Sequence, residues 1–291
     1  MGGILGLAFC NGGILGPKAF HSMNRPLVSV LMPAFQAAAH LPRAAGSVRA
    51  QTLGGWELLI VDDGSTDTTA ACARALCARD GRVRLLRHGH RRGAAAARNT
   101  ALAAARGRYI AFLDADDAWH PEKLARQIAF MQATGAAFSY TGFARVSPRG
   151  VVRQVAVPAH VSRAGLLRGN VIGCLTAIYD TAQLGKVAMP DLPRRHDFAL
   201  WLDLLTRTPR ALGLQEVLAT HWRRPGSLSS ARWQATAATW HVYRAHARLG
   251  RARALGCLIA HHANRLAALG PAQQGPDRGV PRWAPPDRAW R

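Results

Sequence analysis

The chain alternates short, mostly apolar runs with longer segments whose apolar residues recur at helical spacing. LVSVLM (27–32) is an apolar run with β-branched residues that stops at Pro33, the pattern of a parallel strand buried on both faces. A helix over roughly 38–51 follows. WELLIV (56–61) reads as a second buried strand ended by Asp62-Asp63-Gly64-Ser65, and Ser65 or Thr66 stands where it can cap a helix running to about Arg79. VRLL (83–86), an Ala-rich helix over 94–105 and RYIAFL (108–113) repeat the unit. Strands alternating with helices in this way predict βαβ units and hence an α/β fold with a parallel sheet. Pro121 opens and Gly135 closes a further helix. Beyond it, 136–146 and 151–157 read as strands about a Pro148-Arg149-Gly150 turn, VIGCLTAIY (171–179) as another strand, Asp197 to Thr206 as an amphipathic helix and 211–222 as a returning strand. From Arg232 to about Leu269 the pattern is helical with a break near Gly250, and 270–291, rich in Pro, Gly and Arg, reads as disordered.

In an open parallel sheet, ligands bind beyond the carboxyl ends of the strands. Three polar clusters fall there: Pro33-Ala34-Phe35, Asp62-Asp63-Gly64-Ser65 and Asp114 to Asp117. Gly64 allows a tight turn, and the carboxylates beside it can accept hydrogen bonds from ribose hydroxyls or a base N–H. Asp114 and Asp116 are two apart, which in an extended strand end puts both side chains on one face. Two such carboxylates can hold Mg2+ or Mn2+, whose shell is then completed by substrate phosphates and water. The competing reading of the same residues is that Asp116 and Asp117 only precede and cap the helix at Pro121. No G-x-G-x-x-G or P-loop occurs in this context, which disfavours a dinucleotide dehydrogenase or a Walker ATPase.

With 291 residues the chain holds about two domains at most. Its net charge of +22 comes almost entirely from arginine, the lysines being Lys18, Lys123 and Lys186 only. Because this excess is spread over the whole sequence, a coding bias explains it better than an anionic partner does, and no nucleic-acid-binding signature accompanies it. Five cysteines without C-x-x-C spacing point to neither a disulfide framework nor a zinc site, and fit a reducing cytosol. Residues 1–22 lack a positive n-region and are broken by Gly and Pro, so they make neither a signal peptide nor a membrane span; the expectation is that translation begins at Met23.

VSVLMPAF, VDDGSTD, GAAAARNTAL and FLDADDAWHPEKL, in this order and spacing, resemble the family 2 glycosyltransferases, bacterial cell-surface polysaccharide and teichuronic-acid transferases in particular. GNVIGCLTAIYD, MPDLPRRHDFALWLDLL and RPGSLSS extend the match over about 26–232. The resemblance implies a GT-A nucleotide-sugar-binding domain over 26–231, with an N-terminal extension (1–25), a helical extension (232–269) and a disordered tail (270–291). It implies that Pro33 and Phe35 line the base, that Asp63 bonds to it with Asp62 supporting the loop, and that Arg98 faces the nucleotide or its phosphates. Asp114 and Asp116 match the D-x-D element, Asp116 as the direct metal ligand and Asp114 towards ribose or metal-bound water. Asp197 matches the catalytic base, with Trp201 packing beside it. Three positions depart from the family pattern: Arg91 replaces a usual Asn, His196 replaces Glu or Gln before the base, and Trp222 replaces an Arg, leaving diphosphate contacts to Arg223 or Arg224.

The implied reaction moves a sugar, with inversion, from a nucleotide-diphosphate donor to a hydroxyl of a cell-envelope or capsular glycan on a lipid carrier. Transfer directly to polyprenyl phosphate, or nucleotidyl transfer at the same site, are the alternatives. The expected location is cytoplasmic, peripheral on the inner membrane face. Residues 232–291 carry ten arginines against Asp277 and Asp287, so a basic helical tail could lie on anionic lipid or pack against the domain.

Overall fold

The computed structural model describes residues 25–147, 150, 152–222 and 232–267. The expectations for 1–24, for Arg223, Arg224 and the RPGSLSS segment, and for 270–291 therefore lie outside the described residues.

Four parallel strands form the first half of the sheet: β1 (Val28–Ala34), β2 (Trp56–Asp62), β3 (Val83–Arg87) and β4 (Tyr109–Phe112), in the order β3-β2-β1-β4. Helices α1 (Leu41–Arg49), α2 (Thr69–Arg79) and α3 (Ala94–Ala104) make the crossovers. Alternate residues of each strand enter opposite cores, as a period of two requires. Leu31, Leu59 and Val61 join the cluster under α3, while Val30, Met32, Leu58 and Ile60 join the one under α1 and α2. β1 runs through Pro33 rather than stopping there. Its ladder to β4 ends at Leu31–Phe112, so the missing Pro33 N–H leaves no sheet carbonyl without a donor.

The second half is mixed. β5 (Ala118–Trp119), α4 (Lys123–Thr134), β6 (Phe138–Val146), β7 (Val152–Val155), β8 (His160–Val161) and α5 (Arg163–Leu167) lead to β9 (Ile178–Asp180). α6 (Thr181–Leu184), α7 (His196–Arg207) and β10 (Ala211–Trp222) follow. The sheet continues β4-β9-β6-β10-β5, with β9 antiparallel to both neighbours and β6 and β10 parallel again.

Two further sequence expectations fail locally. VIGCLTAIY is not one strand: Cys174–Thr176 is a 3-10 turn and only Ile178–Asp180 joins the sheet. Side chains take over the backbone there. The Thr176 hydroxyl donates to the Gly173 carbonyl (2.7 Å), and the Leu175 and Thr176 carbonyls accept from Trp119 Nε1 (2.7 Å) and Gln127 Nε2 (3.0 Å). Ser65 and Thr66 do not cap α2, which begins at Thr69 without a side-chain cap. Their hydroxyls instead accept from the Gln36 amide (3.0 Å) and Gln36 Nε2 (2.8 Å), tying the exit of β2 to the exit of β1.

The C-terminal segment, α8 (Arg232–His241), a π-helical turn (Val242–His246) and α9 (Arg251–Ala267), docks on α5 and α7. Tyr243 Oη donates to the Leu167 carbonyl, its ring meets Phe198 edge-on at 5.9 Å, and His246 Nε2 lies 2.8 Å from Asp203 Oδ1. Of the two readings left open for the basic segment, packing holds for one of its faces.

Candidate active site

The carboxyl ends of β1, β2 and β4 open on one edge of the sheet, as the parallel order requires. β1 delivers Pro33, partly buried, and Phe35, whose exposed ring is stacked by the Arg91 guanidinium at 4.2 Å. Gln36 then takes a left-handed conformation (φ 49°), and its side chain also accepts from the Asp67 amide at 3.1 Å.

β2 delivers Asp62 and Asp63, both buried. Asp62 accepts from the Ser65 amide and from Arg87 Nε, each at 3.1 Å, so it supports the loop. Asp63 binds the neighbouring 88–93 loop: Oδ1 meets His88 Nδ1 (2.7 Å) and the Arg92 amide (2.9 Å), and Oδ2 the Gly93 amide (2.7 Å). Burial pushes the Asp63 carboxyl up, but these hydrogen bonds outweigh it and hold the group below the ordinary carboxylate value. His88 bridges onward to the Thr100 hydroxyl at 2.9 Å.

β4 delivers Asp114, Asp116 and Asp117, whose carboxylate oxygens lie within 4.8 Å of one another. Asp117 is the buried member, held by His221 Nδ1 (3.1 Å) and the Trp222 amide (3.3 Å). Burial and its two acidic neighbours push it up to about 6, the His221 contact acting the other way. An all-oxygen set of anions at this spacing, destabilised by mutual repulsion, fits a hard divalent cation such as Mg2+ or Mn2+. Arg43 closes this side, donating to the Asp116 carbonyl (2.8 Å) and lying 3.9 Å over the Trp222 ring.

Arg98 joins the strand ends to α7. It is buried on α3, with Nη2 donating to Asp114 Oδ1 and Nη1 donating to His196 Nε2 at 2.8 Å. Burial works against its charge, yet Asp114 more than compensates, and the guanidinium is held above its ordinary value. His196 donates from Nδ1 to the Leu192 carbonyl (3.1 Å), leaving Nε2 as the acceptor; burial first, and then Arg98, lower its basicity, so the ring is neutral. Asn99, the next residue on α3, exchanges two hydrogen bonds with the Met189 backbone, at 2.8 and 2.7 Å, and fixes the approach to α7.

Asp197 follows His196 in the first turn of α7, half buried. Its charge acts on Arg98 and on the half-buried Cys174 thiol, which desolvation and then Asp114, Asp197 and Asp117 push well up despite Arg98. Asp114 and Asp197 therefore act on the same two side chains, Arg98 and Cys174. Trp201, one turn on, is fully buried and packs edge-on against Phe112 and tilted against Phe138, both at 5.3 Å, so it anchors α7 to the sheet. Pro33, Phe35, Asp62, Asp63, Asp114 and Asp116 lie at or just beyond the strand ends, Arg98 and Asp197 stand on α3 and α7, and Arg223 and Arg224 lie outside the described residues. Residues the sequence did not single out are Gln36, Arg43, His88, Asn99 and His221; all act through partners at least 25 positions away except His88 with Thr100, and no local pattern marks them.

Comparison with known proteins gives one family, described as Glycosyl transferase family 2, which matches residues 29–170. A Bacillus subtilis (strain 168) protein, provisionally described as the teichuronic acid biosynthesis glycosyltransferase TuaG, is 38% identical over 244 residues, covering 83% of this chain and 97% of its own. The Escherichia coli UDP-Glc:alpha-D-GlcNAc-diphosphoundecaprenol beta-1,3-glucosyltransferase WfgD is 34% identical over 221 residues, covering 76% of this chain and 86% of its own. Among solved structures, S. aureus TarS 1–349 in complex with UDP-GlcNAc has a TM-score of 0.64 at 20% identity, covering 82% of this chain and 72% of its own. The mannosyltransferase PcManGT from Pyrobaculum calidifontis, in complex with GDP-Man and Mn2+, has a TM-score of 0.63 at 18% identity, covering 84% and 75%. These two likenesses show the fold, the GT-A type.

Proposed function

The chain belongs to glycosyl transferase family 2, and from that premise we propose that it transfers a sugar, with inversion, from a nucleoside-diphosphate donor to a hydroxyl of a lipid-linked cell-envelope glycan. The observation that supports the reading is the bridge Asp114–Arg98–His196, which joins the acidic cluster to the residue that precedes Asp197 on α7.

The donor base lies against Pro33 and the Phe35–Arg91 stack, with the Asp62-Asp63 turn shaping that wall; the relatives' UDP-Glc, UDP-GlcNAc and GDP-Man support a nucleotide-sugar there. Asp114 and Asp116 would hold Mg2+ or Mn2+, which supplies positive charge beside the departing diphosphate. Arg98 keeps Asp114 in place and adds its own charge at depth. Asp197 takes the proton of the acceptor hydroxyl as that oxygen forms its bond to the anomeric carbon. The bond from that carbon to the donor phosphate breaks on the opposite face, its electron pair leaves with the nucleoside diphosphate, and the configuration inverts. Because this single displacement forms no covalent glycosyl-enzyme, no second carboxylate is required, and holding donor and acceptor in line supplies much of the remaining acceleration.

WfgD's diphosphoundecaprenol-linked acceptor supports a lipid-linked acceptor here, and with it work at the inner face of the cell membrane by a protein peripheral to it. Among the described residues no helix is long and apolar enough to cross a membrane.

The test is release of nucleoside diphosphate from a panel of UDP-, GDP- and TDP-sugars, with a lipid-linked glycan acceptor, with and without divalent metal. One preferred donor that requires the metal is expected. Asp197→Asn is expected to lower kcat by about 10³-fold with donor affinity unchanged; a fully active variant removes Asp197 from the mechanism.

A further inference from the structure

The outward face of α9 has the wrong polarity for a helix facing water. A surface helix turns its apolar stripe to the core and its polar residues to solvent. α9 does bury Ala254 and His261. Yet Ala252, Leu255, Gly256, Ile259 and Ala263, which follow one another at helical spacing, are all exposed, and none is polar. Leu255 is 52% and Ile259 61% exposed. Trp233 on α8 is 78% exposed; one turn along, Thr236 Oγ1 lies 3.3 Å from His262 Nε2, which puts the two helices side by side. The fourth large exposed hydrophobic residue among those described, Phe35, belongs to the donor wall.

Charge identifies what covers this face. Residues 232–267 carry Arg232, Arg244, Arg248, Arg251, Arg253 and Arg265, with no Asp or Glu. Arg251 and Arg253 border the apolar face, and among the described residues neither pairs with a carboxylate. A groove of about 440 Å³ beside it, between α5 and α9, is walled by Leu167 and Ala260 and edged by Arg168 and Arg253. A second copy would set arginine against arginine on chains of +22, which disfavours it as the occupant. An anionic bilayer answers both features at once: apolar groups enter the headgroup–acyl boundary and flanking arginines meet the phosphates.

We propose that the outward face of α9, with Trp233 of α8, docks the protein on an anionic lipid bilayer, with Leu255 and Ile259 inserted and Arg251 and Arg253 at the headgroups. The proposal deepens the lipid-linked-acceptor reading and rests on it, but its test is independent of turnover.

The full chain is floated with vesicles of phosphatidylcholine alone, or with about 30 mol % phosphatidylglycerol, at about 0.1 and 0.5 M salt. Wild type is expected to bind the anionic vesicles at least tenfold more tightly than the neutral ones, less so at high salt. Leu255→Asp with Ile259→Asp is expected to abolish that binding while melting temperature and donor affinity stay as in wild type; Arg251→Gln with Arg253→Gln is expected to weaken it at low salt only. Wild type that stays off anionic vesicles, or a Leu255→Asp/Ile259→Asp variant that still binds them, overturns the proposal. Self-association by sedimentation velocity that this variant abolishes would assign the face to a second copy and also overturn it. Vesicle binding without turnover on any nucleotide-sugar would count against the reaction reading and leave the docking face standing.

Discussion

Arg98 holds the end of β4 and the start of α7 with one planar group, Asp114 on one nitrogen and His196 on another. A lysine has a single point of charge and cannot span both partners. Arg98→Lys is therefore expected to lower kcat by about 10²-fold, with a smaller change in donor KM, by steady-state kinetics. The sequence marks Arg98 through its motif and His196 through its departure from Glu or Gln, but the bond between them joins positions 98 apart and only the fold reveals it. Lys123 is legible only as an ordinary cation in PEKL, whereas in the fold it is fully buried, with Nζ 2.8 Å from Gln127 Oε1 and 4.3 Å above the Trp119 ring. Burial lowers its pKa to about 7. Between that value and about 10.4, the unfolded chain holds a proton that the folded one lacks, so stability rises with pH there by up to about 1.4 kcal/mol per unit and is flat below 7 on this account. Lys123→Met is expected to remove that slope, leaving a variant whose advantage over wild type in urea denaturation is greatest near pH 7 and shrinks as the pH is raised to 10.

At the scale of elements, the site depends on two loops leaning on each other. Gly64 has φ 71°, and a Cβ there would lie 2.6 Å from the His90 carbonyl carbon and 2.7 Å from the Arg91 amide nitrogen. Backbone meets backbone, so no flexible side chain can yield. Gly64→Ala is expected to cost about 2 kcal/mol or more by chemical denaturation and, by displacing Arg91 from Phe35, to weaken donor binding measured by calorimetry. The turn itself is visible in the sequence as Asp-Asp-Gly-Ser; its partner loop is not, because 88–93 is local polar sequence whose conformation is set by the Asp63 carboxylate 25 to 30 positions earlier. β1, β2 and β4 were legible for the opposite reason, since each is a mostly apolar run buried on both faces. VIGCLTAIY looks the same by composition, and fails as a strand because Trp119 and Gln127 claim its carbonyls.

For the whole molecule, α8 to α9 is a segment with six arginines and no Asp or Glu in a chain of net charge +22. Counter-ions screen exposed charges over about 8 Å at physiological ionic strength, so the docking contribution of the arginines is salt-sensitive. Raising salt from about 0.05 to 0.5 M is expected to slow transfer to acceptor carried on anionic vesicles several-fold while leaving transfer to a detergent-free, short-chain acceptor unchanged, read as nucleoside diphosphate release. By itself the sequence determined the α/β class, the order of the βαβ units, the family and the strand-end carboxylates, because these rest on local periodicity and on motifs whose residues are neighbours along the chain. The tertiary structure alone decided that β9 reverses the sheet, that Asp63 anchors a loop, that Arg98 couples Asp114 to the start of α7, and that α9 turns an apolar face outward. Each of these depends on which groups remain without a partner after the chain has packed, and that is settled by contacts between residues tens of positions apart.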